Sequence, residues 1–144
     1  MRVLLLSPYD AHSHRRWREG LVAAFPDWQW TVLTLPPRFF LWRVRGNSLS
    51  WAFSKREILE QDYDVLLATS MTDLSALKGM VPSLAQLPTL LYFHENQFAY
   101  PDRRDQPRSD PGVISLYAAL AADRVIFNSA WNRDSFLRGA ADFL

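Results

Sequence analysis

Thr89-Leu90-Leu91-Tyr92-Phe93, followed at once by His94-Glu95-Asn96-Gln97, is the stretch on which the fold class turns. Five apolar or β-favouring residues that break off into an imidazole, a carboxylate and two amides have the pattern of a strand buried on both faces. Such a strand belongs to a parallel sheet and presents chemistry at its carboxyl edge.

Moving outward, the same kind of run recurs near 2–7, 29–35, 64–69 and 124–128, and segments of helical period lie between the runs. Strands alternating with helices are the signature of βαβ units, so the chain is expected to be α/β, a doubly wound parallel sheet with helices on both faces. Trp17, Leu21 and Phe25 form one apolar stripe of a first helix stopped by Pro26-Asp27. Further helices are expected from Leu49 to Gln61, from Met71 to Lys78 closed by Gly79, from Val113 to Ala122, and from Trp131 to Arg138 closed by Gly139. Ser70 with Asp73, and Asn128 or Ser129, are the expected caps. Right-handed crossovers suggest the strand order 3-2-1-4-5. The polar segment Asp102 to Pro111 reads as a mobile loop.

At 144 residues, 49% hydrophobic and 22% charged, the chain suits one domain over 1–144. It contains no cysteine, which excludes disulfides and thiolate metal sites. Val3 to Leu6 is too short for a signal core or a membrane span, so a cytoplasmic protein without a membrane partner is expected. A net charge of +1 argues against wholesale coating of nucleic acid. Arginines nevertheless cluster at 15–18, 38–45 and 103–108, which leaves local anion recognition open.

Each polar cluster follows a strand: Ser7 to His14, Pro36 to Asn47, Ser70 to Asp73, His94 to Gln97, and Asn128-Ser129. They therefore share one sheet edge, and the expected order brings Asp10 to His14 beside His94 to Gln97. The first loop has neither a dinucleotide glycine fingerprint nor a Lys-Ser/Thr phosphate loop. It does offer a helix amino end near Ser13-His14, which either holds a phosphate oxygen or is merely capped by Ser13. His94 is either a satisfied strand-end residue or a donor to a sugar hydroxyl, with Glu95 orienting it and Asn96 and Gln97 reading polar groups. A metal reading finds no histidine pair at ligand spacing, and no Gly-x-Ser-x-Gly elbow supports a serine nucleophile. Between 35 and 47 arginines alternate with aromatics, the chemistry of single-stranded RNA recognition. Phe39, Phe40 and Trp51 read as a plug packed beneath the crossover, Trp42, Arg43 and Arg45 as the binding group.

Ordered blocks make a resemblance specific: Ser13-His14, the Leu-Pro…Trp-Arg-x-Arg pattern of 35–45, Ala68-Thr69-Ser70 with Asp73-Leu74, Leu91 to Gln97 followed by Tyr100-Pro101, and Val125 to Ser129 with Asn132 and Ser135-Phe136. Together they resemble the amino-terminal domain of the tRNA-queuosine α-mannosyltransferase family. The resemblance implies the Rossmann-like amino-terminal half of a retaining GT-B glycosyltransferase, with a carboxyl-terminal donor-binding domain outside this chain. It implies mannose transfer from GDP-mannose to queuosine in a tRNA anticodon, no cofactor or metal, and little activity in the isolated domain. His94 and Glu95 would be catalytic, Ser13, His14 and Asn96 would face the donor phosphates, and Trp42, Arg43, Arg45, Gln97 and Asn128 would face the acceptor. Relatives often carry glycines before Ser-His, where Asp10-Ala11-His12 stands here. A glycosyltransferase half acting on a lipid or small-molecule acceptor, or a non-catalytic binding module, are the alternatives.

Overall fold

The computed structural model of the chain describes residues 1–100 and 109–144. The expected cations Arg103, Arg104 and Arg108, and residues 102–108 of the loop expected to run to Pro111, lie outside the described residues; its last three residues are helical, since the next helix starts at Ser109 rather than Val113. Five strands, β1 (Arg2–Ser7), β2 (Gln29–Thr34), β3 (Val65–Thr69), β4 (Thr89–Phe93) and β5 (Arg124–Phe127), pair in parallel throughout. Between and after them run α1 (His12–Ala24), α2 (Phe40–Ser54), α3 (Arg56–Leu59), α4 (Leu74–Met80), α5 (Ser109–Leu120) and α6 (Ala130–Phe143). The result is the α/β, Rossmann-like sheet that the alternation of strand and helix runs implies.

The strand order is β2-β1-β3-β4-β5 and corrects the expected 3-2-1-4-5. The reason is burial: Leu66 and Ala68 of β3 are wholly buried, which suits a central strand, whereas β2 carries Gln29, Trp30, Thr31 and Thr34 and is half-exposed along most of its length. The polar strand takes the edge, where its outer side meets water.

Alternation along the strands sorts side chains onto two faces. Leu4, Leu6, Leu66, Ala68, Leu91 and Phe93 join Trp51, Leu59, Leu74, Leu77, Ala118 and Phe136 in the main core beneath α2 to α6. Val3, Leu5 and Leu67 form a smaller cluster on the opposite face, covered by Trp17 and Leu21 of α1. Among the described residues, α1 is thus the helix that covers that face. Its covering position over β3 and β4 carries the site described below.

Helix boundaries differ from expectation for local reasons. α2 starts at Phe40 rather than Leu49, because the Arg-aromatic stretch is itself helical. Phe39 precedes it in the left-handed region, φ 56° and ψ 57°, and its ring is 72% exposed, so it is no plug; Trp51, 1% exposed, is. α4 is capped by the Asp73 carboxylate, which accepts from the Ala76 amide, and α6 by the Ser129 hydroxyl, which accepts from the Asn132 amide. Ser70 caps nothing. Gly79 and Gly139 lie inside helices rather than ending them. At Gly139 a Cβ would collide with Phe98 Cβ, so this glycine serves close packing against the turn after β4.

Candidate active site

The carboxyl edges of β1 and β4 meet although β3 lies between them. α1 leaves the first loop and leans across β3, so that Trp17 stacks on Tyr92 of β4, ring centroids 4.3 Å apart. One turn earlier on the same helix, His14 reaches the end of β4. Its ring stacks on that of His94 at 4.1 Å with an interplanar angle of 11°, and its Nε2 lies 3.2 Å from Glu95 Oε2. The two loops converge as the shared edge requires, but by the tilt of α1 rather than by adjacency of strands.

The cluster is aromatic on its inner side. Trp17 and Tyr92 each set an edge or face against His94, at 4.9 Å. Burial, then the nearby His14, outweigh Glu95 and push His94 down to about 4 from its ordinary 6.5. At neutral pH the His94 ring is therefore uncharged, able to donate from one nitrogen and accept at the other.

Buried polar atoms are normally paired. Here His14 Nδ1, His94 Nε2, Thr69 Oγ1, Ser70 Oγ and Thr72 Oγ1 are buried without a hydrogen-bond partner among the described residues. All five belong to the carboxyl ends of β3 and β4 or to the first turn of α1. Thr69 is paired in register with Tyr92, on the face that α1 covers. The sequence placed Ser70 to Asp73 at this edge, where Ser70 reads as a cap; its hydroxyl instead joins those of Thr69 and Thr72 at the site.

The amino end of α1 is open to an anion. Its leading residue Ala11 has an extended backbone, no side chain among the described residues caps the first amides, and the first turn holds no acid. Ser13, exposed on that turn, does not cap the helix. Amides of a first turn lack intrahelical partners and carry the positive end of the helix dipole. The Asp10-Ala11-His12 loop reaches this arrangement without glycine. Asp10 is 5% exposed, accepts from Arg18 Nη2 at 3.0 Å and Arg15 Nε at 3.4 Å, and its amide donates to Leu35 O. Burial opposes its ionisation, but Arg18 and then Arg15 prevail and hold the carboxyl below its ordinary range.

A polar weld fixes the turn after β4. Asn132 Nδ2 donates to Phe93 O at 3.1 Å and to Asn128 Oδ1 at 2.9 Å, and Asn128 Nδ2 donates to His94 O at 2.6 Å. Asn96, buried, donates to Asn132 Oδ1 at 2.7 Å and to Ser135 Oγ at 3.0 Å, while its own Oδ1 accepts from Ala99. Asn96 and Asn128 are thus engaged within the protein, the first wholly buried and the second exposed. Gln97 opens a short 3-10 turn, Gln97–Ala99, and is half-buried. No sequence pattern gave Asn132 a task, because its partners, Phe93 O and the side-chain amides of Asn128 and Asn96, are brought together only in the folded chain.

Trp42, Arg43 and Arg45 form a second group on α2. Trp42 and Arg45 are exposed, and Arg43 Nε donates to Pro36 O at 3.2 Å. Phe40 joins this group to the first loop through an edge contact with Tyr9 at 5.7 Å. Among the described residues, no three His, Asp or Glu side chains gather in a way that could hold a metal ion. None of the described helices is long and apolar enough to cross a membrane.

Comparison with known proteins agrees with the motif blocks. A family model described as tRNA-queuosine alpha-mannosyltransferase N-terminal matches residues 2–144. A curated tRNA-queuosine alpha-mannosyltransferase of Drosophila melanogaster is 33% identical over 145 residues, covering 99% of this chain and 37% of the relative. The chain therefore spans just over a third of that relative's length.

Proposed function

The chain belongs to the tRNA-queuosine alpha-mannosyltransferase N-terminal family, and from that premise we propose that it is the amino-terminal, acceptor-side domain of a retaining GT-B transferase moving mannose from GDP-mannose to queuosine in a tRNA anticodon. The observation that carries the reading is the convergence of His14, Glu95 and His94 on one edge, stacked and bonded at 4.1 Å and 3.2 Å, beside an uncapped helix start.

The transfer breaks the bond between the sugar anomeric carbon and the diphosphate oxygen, and joins that carbon to an acceptor hydroxyl oxygen whose proton passes to the departing diphosphate. Positive charge builds on the sugar and negative charge on the leaving diphosphate, so the domain acts by placement and electrostatics. His94, kept neutral, hydrogen-bonds a sugar hydroxyl without adding a repelling charge to a cationic centre. Glu95 orients His14 and contributes negative potential beside that centre. Ser13, His14 and the α1 amides receive phosphate oxygens. Asn96 holds the His94 turn in place through Asn132, and Gln97 and Asn128 line the acceptor side. Trp42, Arg43 and Arg45 receive the tRNA. The nucleobase pocket and the cations for the leaving group belong to a carboxyl-terminal domain, so the 144 residues alone turn over little.

Mass analysis of tRNA nucleosides from cells with and without the full-length protein tests the reading. Loss of a hexosyl-queuosine signal is expected, and an unchanged signal contradicts it.

A further inference from the structure

Phe39 is an anomaly for a core-forming residue. A bulky side chain in the left-handed region is strained, yet Phe39 is 72% exposed and gains no burial in return. Arg38 stands over it, guanidinium carbon 5.7 Å from the ring centroid. One turn along α2, Trp42 is 55% exposed. A Cβ at Gly46 would meet Trp42 Cε2 at 2.7 Å and Cδ2 at 2.8 Å. The indole therefore lies over the bare backbone at 46, supported on one side.

Along the sequence, the charges that flank this pair have one sign. From Trp28 to Arg56 the sequence holds no Asp or Glu, while Arg38, Arg43, Arg45, Lys55 and Arg56 lie within it. In a chain of net charge +1 this is a local concentration of cations, and three of the five gather at the Phe39–Trp42 end. Exposed aromatic faces among guanidiniums fit a strand with unpaired bases, which offers phosphates and π surfaces together. An apolar partner helix would instead use the whole stripe, through Leu49 to Phe53. Phe40, between the two aromatics, touches Tyr9 of the first loop, so the pair stands on the same rim as His14.

We propose that Phe39 and Trp42, with Gly46 as the seat of the indole, form a stacking platform for unpaired nucleobases flanking the modified nucleotide. This rests on the RNA-acceptor reading and gives it a contact surface.

The test is fluorescence anisotropy of the chain with two labelled RNAs of equal charge, a queuosine-containing anticodon stem-loop and a blunt duplex. Stem-loop binding is expected to exceed duplex binding, and Trp42→Ala to weaken the stem-loop alone by about five- to a hundredfold. Gly46→Ala, adding one methyl, should reproduce that loss. Phe39→Gly should bind more weakly yet unfold at equal or higher denaturant, because glycine adopts the left-handed backbone freely; a merely structural Phe39 would give the opposite. Phe53→Ala should bind as wild type. Wild-type stem-loop binding by Phe39→Gly and Trp42→Ala overturns the platform. So does an equal loss at Phe53 with self-association in sedimentation, which would make α2 a protein-docking face. Base-dependent binding without any sugar transfer by the full-length protein sinks the transfer reading and leaves the platform standing.

Discussion

Acidifying the chain should cost stability through His94, in a window that the structure defines. Burial among Trp17, Tyr92 and the stacked ring of His14 disfavours the charged imidazole most, and His14 adds to it, leaving His94 at about 4 against an ordinary 6.5. Between those values the unfolded chain holds a proton that the folded chain refuses. Stability is therefore full above about pH 6.5, falls as the pH drops, and has lost this contribution by about pH 4. The gap corresponds to about 3 kcal/mol at about 1.4 kcal/mol per pH unit, a large share of the ~5–15 kcal/mol that holds a typical domain. Urea unfolding at intervals from neutral pH to pH 4, on the wild-type chain and on His94→Gln, isolates the effect, since the amide has no proton to gain. The stability difference between the two should shift toward the variant as pH falls. A difference that stays level across the window, or a His94 ring that titrates near 6.5 by NMR, would refute the argument.

Other consequences concern the frame around the site. Asn132→Leu strips donors from Phe93 O and Asn128 and an acceptor from Asn96, and should lower the unfolding free energy by about 1–3 kcal/mol; an unchanged denaturation midpoint counts against the weld. Gly139→Ala drives a methyl into Phe98 and should cost about 1–3 kcal/mol. Gly20→Ala in α1 meets nothing within 4 Å and should stabilise by about 0.5–1 kcal/mol, so the two thermal scans must move oppositely. Asp10→Asn leaves Arg18, 16% exposed, without its carboxylate, and should destabilise the first loop, read as faster amide exchange at 7–15.

The sequence carried the fold class because its strand runs are short, apolar and regularly spaced, and those features are local. Strand order was harder, since right-handed crossovers allow more than one order. The polarity of Gln29, Thr31 and Thr34 against the wholly apolar Val65 to Ala68 already marked β2 as the edge. The meeting of His14 with His94 and Glu95 was legible as a shared edge, although the tilt of α1 that achieves it was not. Gly79 and Gly139 looked like helix ends because glycine ends helices more often than it serves close packing. Phe39 was read as buried from its hydrophobicity, which says nothing about a left-handed backbone that turns the ring outward. Asn132 stood among the motif blocks without a task, because a side chain bonded to Phe93 O and to the Asn96 amide, both far away along the chain, leaves no local pattern.

The central claim is that His94 faces the reacting sugar as a neutral hydrogen-bonding ring. Its most direct test compares sugar transfer to queuosine-containing tRNA by the full-length protein and by its His94→Ala variant, at matched folded fraction and neutral pH. The variant is expected to lose about a hundredfold or more in rate. A variant that transfers as fast as the wild type would contradict it.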